Sequence, residues 1–130
     1  MLAQSTAFSG MGASDIEAAH RFYSETLGVE TVWLDEENGL MSLKHGNGHE
    51  TLVYRKPDHV PANNTVLNFR VDDIDAAVDE LVARGVEIER YDEFPQDEKG
   101  ILRGRAANRG PDIAWFKDPA GNVLSVLQES

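Results

Sequence analysis

The chain repeats itself at half its length, and a repeat of that size points to two similar supersecondary units rather than one irregular core. Ser14-Asp15-Ile16-Glu17-Ala18-Ala19 returns 58 residues later as Asp72-Asp73-Ile74-Asp75-Ala76-Ala77. Each copy runs through a helical stretch into a Gly-Val-Glu triplet, Gly28-Val29-Glu30 and Gly85-Val86-Glu87. The offset there is 57, so the second helix is one residue shorter. Short segments of strand character, 6–13 and 65–71, precede the two helices.

Local chemistry supports both helices. Ser14 or Asp15 can cap the first and Asp72 or Asp73 the second, since their side-chain oxygens accept the unpaired N–H groups of a first turn. Ile16, Ala19, Tyr23 and Leu27 form an apolar stripe at helical spacing, as do Ile74, Ala77, Val78 and Leu81. Three strands are predicted after each helix: 31–34, 39–44 and 50–55 in the first half, then 87–91, 112–116 and 123–128 in the second. Glu36-Glu37-Asn38-Gly39 and Gly46-Asn47-Gly48 are hairpin turns, and Asp118-Pro119-Ala120-Gly121 suits a type I turn. The predicted fold is α+β, with tandem βαβββ modules at 6–56 and 65–128 joined by a polar, Pro-broken connector at 57–64. Together they are expected to form one domain over 1–130. Residues 95–110 break the symmetry as a long Gly- and Arg-containing insert.

Charge narrows the partners. The formal charge of −11 repels phosphate backbones and anionic lipid surfaces, which argues against nucleic-acid and membrane roles. The chain has no cysteine, so disulfides, thiolate metal sites and cysteine nucleophiles are excluded. The N-terminal residues lack the basic flank and apolar core of a secretion signal, and no apolar run is long enough for a spanning helix. A cytoplasmic protein is expected.

The repeat and three phrases together resemble the vicinal oxygen chelate superfamily, which includes glyoxalase I, extradiol dioxygenases and bleomycin-resistance proteins. The phrases are Ser14 to Ala19 with Phe22-Tyr23 and Leu27-Gly28, then Phe69-Arg70-Val71-Asp72-Asp73-Ile74, and finally Phe116-Lys117-Asp118-Pro119-Ala120-Gly121-Asn122. The resemblance implies mixed sheets curled into a cupped half-barrel around a ligand cavity, with the helices outside, and a homodimer. It also implies where metal ligands would stand. The histidine positions fall at Phe8 and Val66, one acidic position falls at Ser125, and the stretch 51–54 contains no acid. Phenylalanine and valine carry no donor atom and a serine hydroxyl is a poor ligand, so no inherited metal site and no cofactor are expected. His45 and His49 flank a tight turn beside Glu50, but adjacent strand residues face opposite sides, and we read them as surface residues.

On the resemblance, the face that would carry metal ligands lines the cavity. Strand alternation then assigns Val66, Asn68 and Arg70 to it, together with Val123, Ser125 and Leu127, and Phe8, Gly10 and Gly12. The two glycines would leave room for a ligand or mark a bulge. Trp33, Tyr54 and Trp115 are candidate aromatic walls, each competing with a role as core filler. Arg70 would contact a ligand oxygen or pair with an acidic neighbour. Lys99, Arg103, Arg105 and Arg109 concentrate in the insert, as a loop that closes over a ligand or as a solvated, mobile segment. The expected ligand-binding set is Trp33, Tyr54, Asn68, Arg70, Trp115 and Ser125, with no catalytic residue assigned. The expected function is sequestration of a small molecule. The alternative is a glyoxalase- or dioxygenase-type enzyme, a lyase or oxidoreductase, with a non-standard or metal-free site.

Overall fold

Both helices begin where the repeat places a carboxylate. In the computed structural model, which describes residues 1–130, Asp15 Oδ1 accepts from the Ala18 N–H at 3.0 Å and Asp73 Oδ1 from the Ala76 N–H at 3.1 Å. These bonds satisfy donors that the first turn of a helix cannot pair internally. The helix α1 (Ile16–Arg21) passes directly into a π-helical turn, Phe22–Thr26, in which the Leu27 N–H reaches the Phe22 carbonyl. The helix α2 (Ile74–Ala83) is α-helical throughout. The extra residue of the first repeat is therefore absorbed as a π turn. Gly28 and Gly85, at φ +68° and +87°, end the two helices in the left-handed conformation.

The chain divides into two units, Met1–Val60 and Pro61–Ser130, and each holds one mixed four-stranded sheet. The first sheet contains β1 (Ser9–Ala13), β2 (Glu30–Asp35), β3 (Leu40–Lys44) and β4 (Glu50–Arg55) in the order β1-β4-β3-β2. The second contains β5 (Thr65–Arg70), β6 (Leu102–Arg103), β7 (Asp112–Lys117) and β8 (Val123–Gln128) in the order β5-β8-β7-β6. In each, the strand before the helix runs parallel to the last strand, and the remaining pairs are antiparallel.

One strand differs from expectation. Residues 87–91 form no strand, and the fourth place in the second sheet falls to β6, inside the predicted insert. The cause is the Gln96 amide. It accepts from the Tyr91 N–H at 2.7 Å and donates to the Glu89 carbonyl at 2.9 Å, taking the hydrogen bonds a neighbouring strand would supply. Only the Glu89 N–H reaches β7, at the Trp115 carbonyl. The first strand is also shorter than predicted, starting at Ser9.

Each helix covers one face of its own sheet. In the first unit Met11, Ala13, Met41, Leu43 and Val53 are buried with Ile16, Ala19 and Tyr23. In the second, Ala114, Phe116, Leu124 and Val126 are buried with Ile74, Val78 and Leu81. The turn between β7 and β8 is closed by Asp118, a buried carboxylate. It accepts from the Ala120 and Asn122 N–H groups and from Asn122 Nδ2, each at 2.9 Å. Removing it takes an acceptor from three donors, two of them on the buried Asn122. Asp118→Ala is expected to lower the unfolding free energy by about 2–4 kcal/mol, measured by denaturant titration.

Candidate functional site

In the second unit the faces of the sheet are fixed by register. Trp115 on β7 stands opposite Ser125 on β8, which stands opposite Asn68 on β5. The three side chains form one row across the face turned away from α2. Ser125 is fully buried and its hydroxyl donates to Asn68 Oδ1 at 2.6 Å. The Asn68 amide nitrogen has no protein partner, and the residue is exposed. Trp115 Nε1 donates to Thr65 Oγ1 at 3.0 Å.

Thr65 escaped the sequence reading, which placed Val66 on this face. A register shift between Thr65 and Leu67 pairs Thr65 with Val123, on the same face as Ser125. A bulge that re-aims one side chain leaves no signature in strand alternation. Arg70, paired with Leu127, does lie on this face. Its guanidinium is 76% exposed and bonds Glu129 at 2.6 Å, so it already has the acidic neighbour that was its alternative partner.

The aromatic wall of this face comes partly from the loop after residue 91. The Phe94 ring stacks on Trp115 with centroids 5.2 Å apart and planes 16° from parallel, and Tyr91 meets Trp115 edge-on at 5.5 Å. Phe94 remains 39% exposed. Sequence reasoning missed both Tyr91 and Phe94; their nearness to Trp115 follows from the path of an irregular loop.

The first unit separates two residues that were expected to act together. Tyr54 pairs with Gly12 on the face turned away from α1, whereas Trp33 pairs with Met41 on the face that α1 covers. Trp33 stacks on His20 of α1, with centroids 4.7 Å apart and planes 8° from parallel, so it is a helix-packing residue here. The glycines have a packing role too. The Tyr54 ring lies over Gly10, and a Cβ on Gly12 would sit 2.6 Å from Nδ1 of His59. The space expected for a ligand at these glycines is filled by the chain's own rings.

The histidine hairpin does not converge. His45 Nε2 meets Thr51 Oγ1 at 2.9 Å, while Glu50 accepts from Ser42 Oγ at 2.6 Å and Lys44 Nζ at 2.9 Å, on the opposite face. Burial, with a smaller effect from His49, holds the His45 imidazole below its ordinary range. No three His, Asp or Glu side chains gather as a metal site requires.

Three of the insert's four basic residues are paired with carboxylates, while residues 105–110 are exposed. Arg103 forms a two-point pair with Asp75 of α2 at 2.8 and 3.0 Å, and its Nε bonds Asp97 at 2.9 Å. Lys99 lies between Asp75 and Asp79 at 3.3 and 3.2 Å, and Arg105 approaches Asp112 at 3.4 Å. The hydrogen bonds from Arg103 hold the Asp75 carboxyl down at about 2.

The sequence profile of the Glyoxalase/Bleomycin resistance protein/Dioxygenase superfamily matches residues 8–126, and the chain belongs to that superfamily. The fold is shared with TnmS3, an antibiotic binding protein from Streptomyces sp. CB03234, at 25% identity, TM-score 0.68 and coverage of 98% of this chain and 99% of that one. A lactoylglutathione lyase from Agrobacterium tumefaciens is similar at 25% identity and TM-score 0.62, covering 97% and 95% of the two chains. A proposed glyoxalase family protein from Bacillus anthracis matches over the full length of both chains, at 23% identity and TM-score 0.70. No helix is long and apolar enough to cross a membrane.

Two outcomes follow from these ion pairs. Because the folded-state value for Asp75 lies below its ordinary 3.8, its stabilising effect is complete above that value and fades as pH falls through about 2. The stability difference between the wild type and Asp75→Asn, followed by chemical unfolding at several pH values, should therefore shrink between about pH 4 and pH 2. Arg70→Ala removes a solvated pair and should change unfolding stability by less than about 1 kcal/mol in the same measurement.

Proposed function

We propose that the chain binds and sequesters a planar small molecule on the face of the second sheet that carries Trp115, Ser125 and Asn68. One observation carries this reading: the stacked Phe94–Trp115 pair stands in the same sheet face as an exposed amide, Asn68, whose N–H groups have no protein partner. An aromatic platform binds a flat ring by stacking, and the amide donates to an oxygen or nitrogen on its edge. The likeness to an antibiotic binding protein supports the same reading.

Binding is favoured over metal-assisted catalysis by the donor set. Where the superfamily's metal ligands are expected, Phe8 and Val66 have no donor, and the Ser125 hydroxyl is committed to Asn68. These residues do not fit a divalent ion, and the ionisable groups on this face are already paired with one another, Lys117 with Glu89 at 3.4 Å and Arg70 with Glu129 at 2.6 Å. The enzymatic alternative rests on the likeness to a lactoylglutathione lyase. The protein is further proposed to be a homodimer, because each open sheet leaves edge strands that a second copy can cover.

Titration with two probes, the neutral planar acridone and bleomycin, tests this reading through tryptophan fluorescence. Saturable quenching with a dissociation constant below about 100 μM by at least one probe is expected, lost in Trp115→Phe and kept in Trp33→Phe. Light scattering of the same samples should give twice the 14.4 kDa chain mass. Absence of saturable quenching, quenching that survives Trp115→Phe, or conversion of the probe into product would overturn the sequestration reading. A 14.4 kDa species would overturn the dimer.

A further inference from the structure

On the other side of the second unit, the outer flank of α2 borders a groove of about 500 Å³ whose floor is apolar. Val78 and Val86 are buried beneath it, Ile88 is half-buried, and Val82 stands at its edge, 55% exposed. A volume of that order suits a compact organic molecule.

The groove wall is built rather than incidental. Asp97 Oδ1 accepts from the Lys99 and Ile101 N–H groups at 2.9 Å, closing a tight turn. Gly100, at φ +86°, lets that turn press against Ile88, since a Cβ there would meet Ile88 Cγ2. Gln96 joins the turn to the 89–91 segment through the Glu89 and Gly100 carbonyls and the Tyr91 N–H. The cavity therefore exists before any ligand arrives.

Its polar groups specify the ligand. The two cations on the rim are already satisfied: Arg90 donates to the Asp97 and Glu98 carbonyls, both at 2.6 Å, and Lys99 pairs with Asp75 and Asp79. The Glu87 and Glu98 carboxylates are exposed and make no hydrogen bond or ion pair. By charge the lining sets Asp79, Glu87 and Glu98 against Arg90 and Lys99, so the rim stays net negative, on a chain of formal charge −11. We propose that this groove is a second binding site, which takes a lipophilic organic cation: an apolar body on the valine floor, with its positive charge near Glu87 and Glu98.

Tetraphenylphosphonium and tetraphenylborate, alike in shape and opposite in charge, are the probes. Calorimetry on the full chain should show saturable binding of the cation at least about tenfold tighter than of the anion. Valine methyl signals should shift at Val78, Val82 and Val86. Two modest ionic contacts are removed in Glu87→Gln with Glu98→Gln, so affinity should fall about tenfold. Val82→Arg, which places a cation at the groove edge, should abolish binding while its circular dichroism melt stays near wild type. Trp115→Phe, on the opposite face, should leave the affinity unchanged. Equal binding of the two ions, no saturable binding of the cation, full affinity in the Glu87 and Glu98 double variant, or loss of binding in Trp115→Phe would overturn the proposal.

Discussion

Arg103 is the contact on which both candidate faces of the second unit depend. Its guanidinium spends three donors on two carboxylates, one on α2 and one in the insert, and so fixes a long irregular segment to a helix. A planar fork reaching two acids positions a loop more sharply than a lysine would. With the insert held there, Phe94 stays on Trp115 at one face, and the Asp97–Gly100 turn walls the groove at the other. The pairs are partly solvated, so their role is to set position more than to add stability.

The sites that result are largely self-satisfied. Ser125 and Asn68 answer one another, Trp115 answers Thr65, and Arg70 answers Glu129. A face whose buried polar atoms are paired, and whose spare capacity is an amide and a ring stack, is the basis of the binding role proposed above. Membership of the glyoxalase superfamily sets the scaffold, and the chemistry has to be read from the side chains that stand in it.

Features governed by nearest neighbours were readable from the sequence. The caps at Asp15 and Asp73 and the strands β3, β4 and β8 follow from turn chemistry and periodicity, which act over a few residues. The repeat offset even carried the π turn, as one surplus residue between Asp15 and Gly28. What was not readable depends on parity and on partners distant in sequence. Alternation groups residues by side but does not reveal that α1 covers the side bearing Trp33. The bulge at Thr65 exchanged the expected residue for its neighbour, and the Gln96 amide replaced a predicted strand with two side-chain bonds. The count of basic residues in the insert suggested ligand contact, yet Asp75, Asp79, Asp97 and Asp112 engage three of the four.

Amide hydrogen exchange across residues 97–103 tests most directly whether the insert is a fixed part of the fold. The Lys99, Gly100 and Ile101 amides, all bonded to Asp97, should exchange as slowly as the β7 backbone in the wild type and lose that protection in Arg103→Ala. Exchange in the wild type at the rate of an unstructured chain would contradict the account.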